Sequence, residues 1–176
     1  MNIANKVTTL RLFLIPVFVV FYYIFGRTYN IAAIIFILAS LTDALDGYLA
    51  RSRNLITNFG KFVDPLVDKV LTLAAFIVLV ENKIIPAWAV IIIVSRELII
   101  TGFRTIAADQ GITIAASKWG KAKTISQMVA LFCLLLDFET LNNLGIYIFY
   151  IAVALTVISG VDYMVKNKQV LDLENI

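Results

Sequence analysis

The stretch from Ile31 to Val80, IAAIIFILASLTDALDGYLARSRNLITNFGKFVDPLVDKVLTLAAFIVLV, decides how the chain is read. It opens and closes on apolar runs of helical length, and between them lie Asp43, Asp46, Asp64 and Asp68. Asp43 and Asp46 are three residues apart and Asp64 and Asp68 four apart, so each pair shares one face of a helix. The segments joined by Arg51 to Lys61 run antiparallel. By helical rise, Asp43 lies about 12 Å and Asp46 about 8 Å below the loop end of their segment. Asp64 and Asp68 lie about 5 and about 10 Å below the same end of theirs. Asp43 is therefore expected opposite Asp68, and Asp46 opposite Asp64, with all four carboxylates converging in one cavity.

The rest of the chain sets the solvent around that pair. Of 176 residues, 61% are hydrophobic and 15% charged. Soluble domains carry about 45–50% and about 25%. Mean hydropathy is +0.91. The expected fold is an all-α integral membrane protein, residues 1–176 forming one domain, with six transmembrane helices around a polar cavity open to the cytoplasm. The spans read as Leu10 to Phe25, Ile31 to Ala50, Phe62 to Val80, Ile85 to Ile106, Ala122 to Leu136 and Leu144 to Val165. Gly26 to Asn30 and Glu81 to Lys83 read as tight turns at one side; Arg51 to Lys61 and Ala107 to Lys121 read as longer loops at the other. No internal repeat, linker or cleavable signal is seen. Lys6, Arg11, Arg51, Arg53, Lys61, Lys118, Lys121, Lys123, Lys166 and Lys168 gather on the loop side, and only Arg27 and Lys83 on the turn side. The positive-inside rule then puts both termini and the aspartates toward the cytoplasm. With a net charge of +3 dispersed between apolar spans, the partners implied are anionic lipid or a phosphorylated substrate rather than nucleic acid.

Four carboxylates at close range do not stay ionised in low dielectric without cations. The chain has no histidine and a single cysteine, Cys133, so a Cys/His zinc centre and a disulfide framework are excluded. An all-oxygen donor set suits magnesium, manganese or calcium. Sharing a bridging carboxylate, it could hold two ions as phosphoryl-transfer sites do. Gly47, Ala50 and Gly60 fall on the acid faces and leave space there. A stripe of small residues for close helix packing explains them equally well, but not the acids beside them.

The run D-x2-D-G-x2-A-R-x8-G-x3-D-x3-D, from Asp43 to Asp68, resembles the signature of the CDP-alcohol phosphotransferase family at every fixed position. Asn5 to Arg11, Ser95-Arg96-Glu97 and Ala116 to Lys121, with Lys123, Thr124 and Gln127, resemble its bacterial branch that makes phosphatidylglycerophosphate. The resemblance implies transfer of a phosphatidyl group from CDP-diacylglycerol to glycerol 3-phosphate, releasing CMP, at a bacterial cell membrane. It implies that Asp43, Asp46, Asp64 and Asp68 ligate two Mg2+ ions, with Mn2+ possible, and that Asp68 is also the catalytic base. Gly47, Ala50, Arg51, Thr57 and Gly60, with Asn5 and Thr8, are the implied CDP-lipid contacts. Family members are typically homodimers.

For the acceptor, Arg104, Lys118, Lys121 and Lys123 are the candidate phosphate grips. Ordinary positive-inside charge is the alternative for each. A phosphate grip favours glycerol 3-phosphate or inositol phosphate over serine or choline. Arg96 and Glu97 lie deeper; they read first as an ion pair between helices, and otherwise as orienting the acceptor pocket. Tyr22, Tyr23, Trp88 and Tyr147 read as interfacial aromatics, Pro16 and Pro86 as span punctuation, Cys133 as a packing residue and Asp162 as interfacial. Two rivals remain. Intramembrane prenyltransferases carry two separated acidic motifs, whereas here the acids fall in one helix pair. A divalent-cation transporter explains the acids but not Gly47, Ala50 and Arg51 at their offsets.

Overall fold

The computed structural model describes residues 3–52, 58–109, 111–112, 114 and 117–168; within these it does not describe the side chains of residues 3–8, 11, 43–52, 58–66 and 68. Among the described residues six helices follow one another: α1 (Ile3–Phe25), α2 (Ile31–Ser52), α3 (Asn58–Glu81), α4 (Ala87–Asp109), α5 (Lys118–Leu135) and α6 (Glu139–Lys166). Each covers one of the apolar segments read from the sequence, except that α4 starts at Ala87 rather than Ile85 and α5 ends at Leu135 rather than Leu136, and there is no strand among the described residues.

The ends carry their own signals. α1 stops where Gly26 turns to a φ of +60° and its N–H returns to the Tyr22 carbonyl at 2.8 Å. α3 ends at Glu81, and the turn after it is closed by Lys83, whose φ is +58°, with the Ile84 N–H bonding to the Leu79 carbonyl at 3.0 Å. Ser117 caps α5, its Oγ accepting from the Gly120 N–H at 3.0 Å. α6 starts on Glu139 and has Lys166 in its last turn, charges that suit the helix dipole. Pro16 does not punctuate: α1 runs through it to Phe25. Its missing N–H frees one carbonyl, and the buried packing of Phe18 and Tyr22 beyond it holds the chain helical. Several helices also start earlier than hydropathy suggested, α1 at Ile3, α5 at Lys118 and α6 at Glu139. Polar first turns end an apolar run without ending a helix.

The three turns at one end meet. Arg27 Nη1 donates to the Leu134 carbonyl and to Asn142 Oδ1, both at 2.9 Å, and Nη2 lies 3.9 Å from Asp137. Asn30 Oδ1 accepts the Asp137 N–H at 2.7 Å, and Tyr23 donates to Glu81. This clasp joins the α1–α2, α3–α4 and α5–α6 connections at one end. The interior is built on Phe18, Phe36, Phe76, Phe149, Leu131 and Leu134, all fully buried. Tyr22 belongs to it and is not an interfacial aromatic: its ring stacks at a tilt 6.2 Å from Phe18. Tyr23, Trp88 and Tyr147 are exposed, and Cys133 is buried. α5 and α6 approach closely at Gly145, where an added Cβ would stand 2.9 Å from Cys133 Cβ. Ile100, Phe103, Ala107 and Tyr163 form a smaller cluster between α4 and α6.

Large apolar side chains are exposed along the outer surface. Phe13 and Leu98 are each 66% exposed, and Ile91, Ile125 and Val165 are comparably bare. Among the described residues, α6 is the one helix long and apolar enough by itself to cross a membrane; Leu12–Phe25 and Ile31–Thr42 are shorter apolar stretches. α4 and α5 are long enough, but α4 carries four charges, Arg96, Glu97, Arg104 and Asp109, and α5 carries three, Lys118, Lys121 and Lys123.

Candidate functional site

The four aspartates lie on the two helices expected to carry them, Asp43 and Asp46 on α2 and Asp64 and Asp68 on α3. Their side chains, with those of Asn5, Thr8, Gly47, Ala50, Arg51 and Gly60, lie outside the described residues, as does Thr57 altogether. Their neighbours one turn deeper are described. Ser40 lies three residues before Asp43 and Thr72 four after Asp68, which puts each on the helix face of its aspartate. Both border one cavity of about 420 Å³ between α2, α3, α4 and α5. Half of its wall is aliphatic or aromatic, including Leu73, Phe76, Ile93 and Met128; Lys69, Glu97, Lys123, Thr124 and Gln127 join Ser40 and Thr72 as the polar side chains. Among the described residues no three acids come together. Acid spacings of three and four residues, on faces that border a common cavity, fit an oxygen-ligated cation.

A polar layer crosses the bundle at this depth. Glu97 on α4 accepts from Lys123 on α5, an ion pair in which Lys123 is only 3% exposed. The same oxygen, Oε1, takes Arg96 Nη1 at 3.2 Å. Arg96 Nη2 donates to Ser159 Oγ on α6 at 3.2 Å, and Ser159 donates to the Thr156 carbonyl at 3.1 Å. Gln127 donates to Thr156 Oγ1 at 3.2 Å. On the other side, Lys69 of α3 donates to Thr101 Oγ1 of α4, and Thr101 donates in turn to the Glu97 carbonyl at 2.7 Å. Arg96 and Glu97 are therefore neighbours on one helix, and the pair that joins two helices is Glu97 with Lys123. Burial makes this layer consequential, because an unpaired cation here would cost several kcal/mol, roughly 3–5.

The four cations assigned to an acceptor's phosphate divide. Lys118 and Lys121 are exposed on the first turn of α5. Arg104 is exposed, its Nε donating to the Tyr163 hydroxyl at 3.2 Å and its guanidinium centred 5.6 Å from that ring. Lys123 differs from the other three: it is buried and held by Glu97. Asp162, read as interfacial, pairs with Lys166 at 2.7 Å, while its Oδ2 is buried with no hydrogen-bond partner among the described residues. Lys69 was not singled out by sequence. A cation inside an apolar run, one residue after Asp68, was the available signal.

A family model described as CDP-alcohol phosphatidyltransferase matches residues 1–158. The chain is 42% identical to the CDP-diacylglycerol–glycerol-3-phosphate 3-phosphatidyltransferase of Bacillus subtilis, over 99% of each chain. It is 41% identical to the protein of that name from Haemophilus influenzae, over 99% of this chain and 97% of the relative. A probable phosphatidylglycerophosphate synthase of Mycobacterium tuberculosis is 38% identical over 94% of this chain and 81% of its own length. With a signature complete from Asp43 to Asp68 and relatives alignable almost from end to end, the chain belongs to the CDP-alcohol phosphatidyltransferase family.

Proposed function

We propose that this enzyme transfers the phosphatidyl group of CDP-diacylglycerol to glycerol 3-phosphate in phospholipid biosynthesis, giving phosphatidylglycerophosphate and CMP. The observation that carries the proposal is the four-aspartate signature, in a chain that matches enzymes of that name over nearly its whole length.

Asp43, Asp46, Asp64 and Asp68 would hold two magnesium ions, with manganese able to substitute. Bound there, the metal supplies charge stabilisation for the phosphates between which the bond breaks. The chain's own residues do the rest. Asp68 takes the proton of the acceptor hydroxyl, whose oxygen bonds to the phosphorus nearest the diacylglycerol. The bond from that phosphorus to the bridging oxygen breaks, and CMP leaves with the electron pair. Gly47, Ala50, Arg51, Thr57 and Gly60, with Asn5 and Thr8 from α1, form the nucleotide contacts. Arg104, Lys118 and Lys121 receive the acceptor's phosphate, and Lys123, held by Glu97, contributes its charge. The apolar flank of the cavity limits access of water to the phosphorus.

The apolar outer surface supports all six helices crossing a bacterial cell membrane, the charged ones crossing as part of the bundle. The asymmetry of lysine and arginine supports placing both termini and the aspartates on the cytoplasmic side. A homodimer is the expected assembly. The test uses purified enzyme, CDP-diacylglycerol and magnesium, offered glycerol 3-phosphate, inositol phosphate and serine in parallel. CMP release with glycerol 3-phosphate that stops on chelation is expected. Release with another acceptor only, or release indifferent to chelation, would overturn the assignment.

A further inference from the structure

We infer that Glu97 is a positioning residue for acceptor recognition: it fixes the first turns of α5 against α4 so that their cations face the acceptor's phosphate. The inference rests on the proposed reaction. Three cations, Lys69, Arg96 and Lys123, come from three helices to one level of the bundle, and two of them border the cavity beside the aspartate helices. Among the described residues lining that cavity, Glu97 is the only acid. Each of the three is tied to it. Lys123 and Arg96 meet its carboxylate, and Lys69 reaches its backbone carbonyl through the hydroxyl of Thr101.

The geometry around Arg96 shows what is being held. An added Cβ on Gly160 would stand 3.2 Å from Arg96 Cγ, and one on Gly120 would stand 3.8 Å from Arg96 Nη2 and 3.3 Å from Ser117 Oγ. The arginine therefore threads between α6 and the capped N-terminus of α5, filling space that two glycines leave. That N-terminus carries Lys118 and Lys121. Two residues farther on, Lys123 is drawn by Glu97 toward α4, the helix that carries Arg104. One carboxylate thus ties α5, which packs along α6, to α4. Like charges within a cavity repel in low dielectric. Without the acid, Lys123 and Arg96 would separate, and the exposed lysines would turn with the helix.

The role separates from plain structural support by its kinetic signature. A purely structural acid lowers the amount of folded enzyme and leaves the constants of the folded fraction unchanged. A positioning acid raises the KM for glycerol 3-phosphate selectively. The experiment measures CMP release by folded Glu97→Gln and Glu97→Asp enzymes, varying glycerol 3-phosphate and CDP-diacylglycerol in turn. For Glu97→Gln, KM for glycerol 3-phosphate is expected to rise at least tenfold, with KM for CDP-diacylglycerol within twofold of wild type. Glu97→Asp keeps the charge one methylene short and is expected to be intermediate; it carries the test if the glutamine variant does not fold. An unchanged KM for glycerol 3-phosphate in either folded variant, or an equal rise for both substrates, overturns the inference. Wild-type enzyme that releases no CMP with glycerol 3-phosphate removes the underlying reaction and this inference with it.

Discussion

Replacing Gly145 with alanine tests a close contact between α5 and α6. The new Cβ would stand 2.9 Å from Cys133 Cβ and 2.9 Å from Leu134 Cγ. Comfortable carbon contacts lie at about 3.5–4.0 Å, so the helices would have to part locally by roughly 0.6–1 Å. Cys133 Cβ is fixed to its own backbone and cannot swing away, and Leu134 is fully buried. Overpacking of this kind costs about 1–3 kcal/mol. Alanine returns up to about 1 kcal/mol through its better helix propensity. A net loss of about 1–2 kcal/mol remains, which in a chain of this length lowers Tm by about 2–8 °C. Thermal unfolding of wild type and variant in one and the same detergent measures it. Adding Cys133→Gly removes the opposing Cβ, and the double variant should lose less than the sum of the two single losses. A Gly145→Ala protein that melts at or above wild type would show that α5 and α6 do not approach as described.

Three further outcomes are expected. Asp68→Asn should fold normally and release CMP about 10²–10⁴-fold more slowly, the usual worth of a general base; a near-normal rate would remove Asp68 from that role. Arg104→Ala should raise KM for glycerol 3-phosphate roughly tenfold, a loss of about 1.4 kcal/mol, and KM for CDP-diacylglycerol much less. Equal effects on both would take Arg104 out of the acceptor site. Arg27→Met, which deletes two charge-assisted hydrogen bonds at the clasp, should cost about 2–4 kcal/mol of stability while the folded fraction keeps its kinetic constants; altered constants would show that the clasp communicates with the site.

The helices were legible because each has an apolar run of helical length, and the spacing of Asp43, Asp46, Asp64 and Asp68 put them on two neighbouring helices. Boundaries were less legible. Asn5 to Thr9, Lys118 to Lys121 and Glu139 to Asn143 are helical but mostly polar, and hydropathy reports what a helix faces rather than where it stops. Tyr22 and Tyr23 show the same limit. They are adjacent and chemically identical, yet one packs on Phe18 and the other reaches Glu81. Only the rotation of α1 against its neighbours separates them. The pairing of Glu97 with Lys123 spans 26 residues, and that of Lys69 with Thr101 spans 32. Sequence showed charges where charges are expensive, but their partners depend on which helices pack together. Lys123 illustrates the cost: by position it grouped with Lys118 and Lys121, and by packing it belongs to Glu97.

The clasp at Arg27 has a consequence for how the protein is made. Its acceptors, the Leu134 carbonyl and Asn142, lie 107 and 115 residues later in the chain. A ribosome delivers the first four helices well before either exists. Until then Arg27 has neither of them to bond and Leu131 and Leu134 have yet to join the interior. The last two helices therefore complete the bundle rather than extend it, and a chain arrested after α4 would be an unfinished protein and not a smaller one.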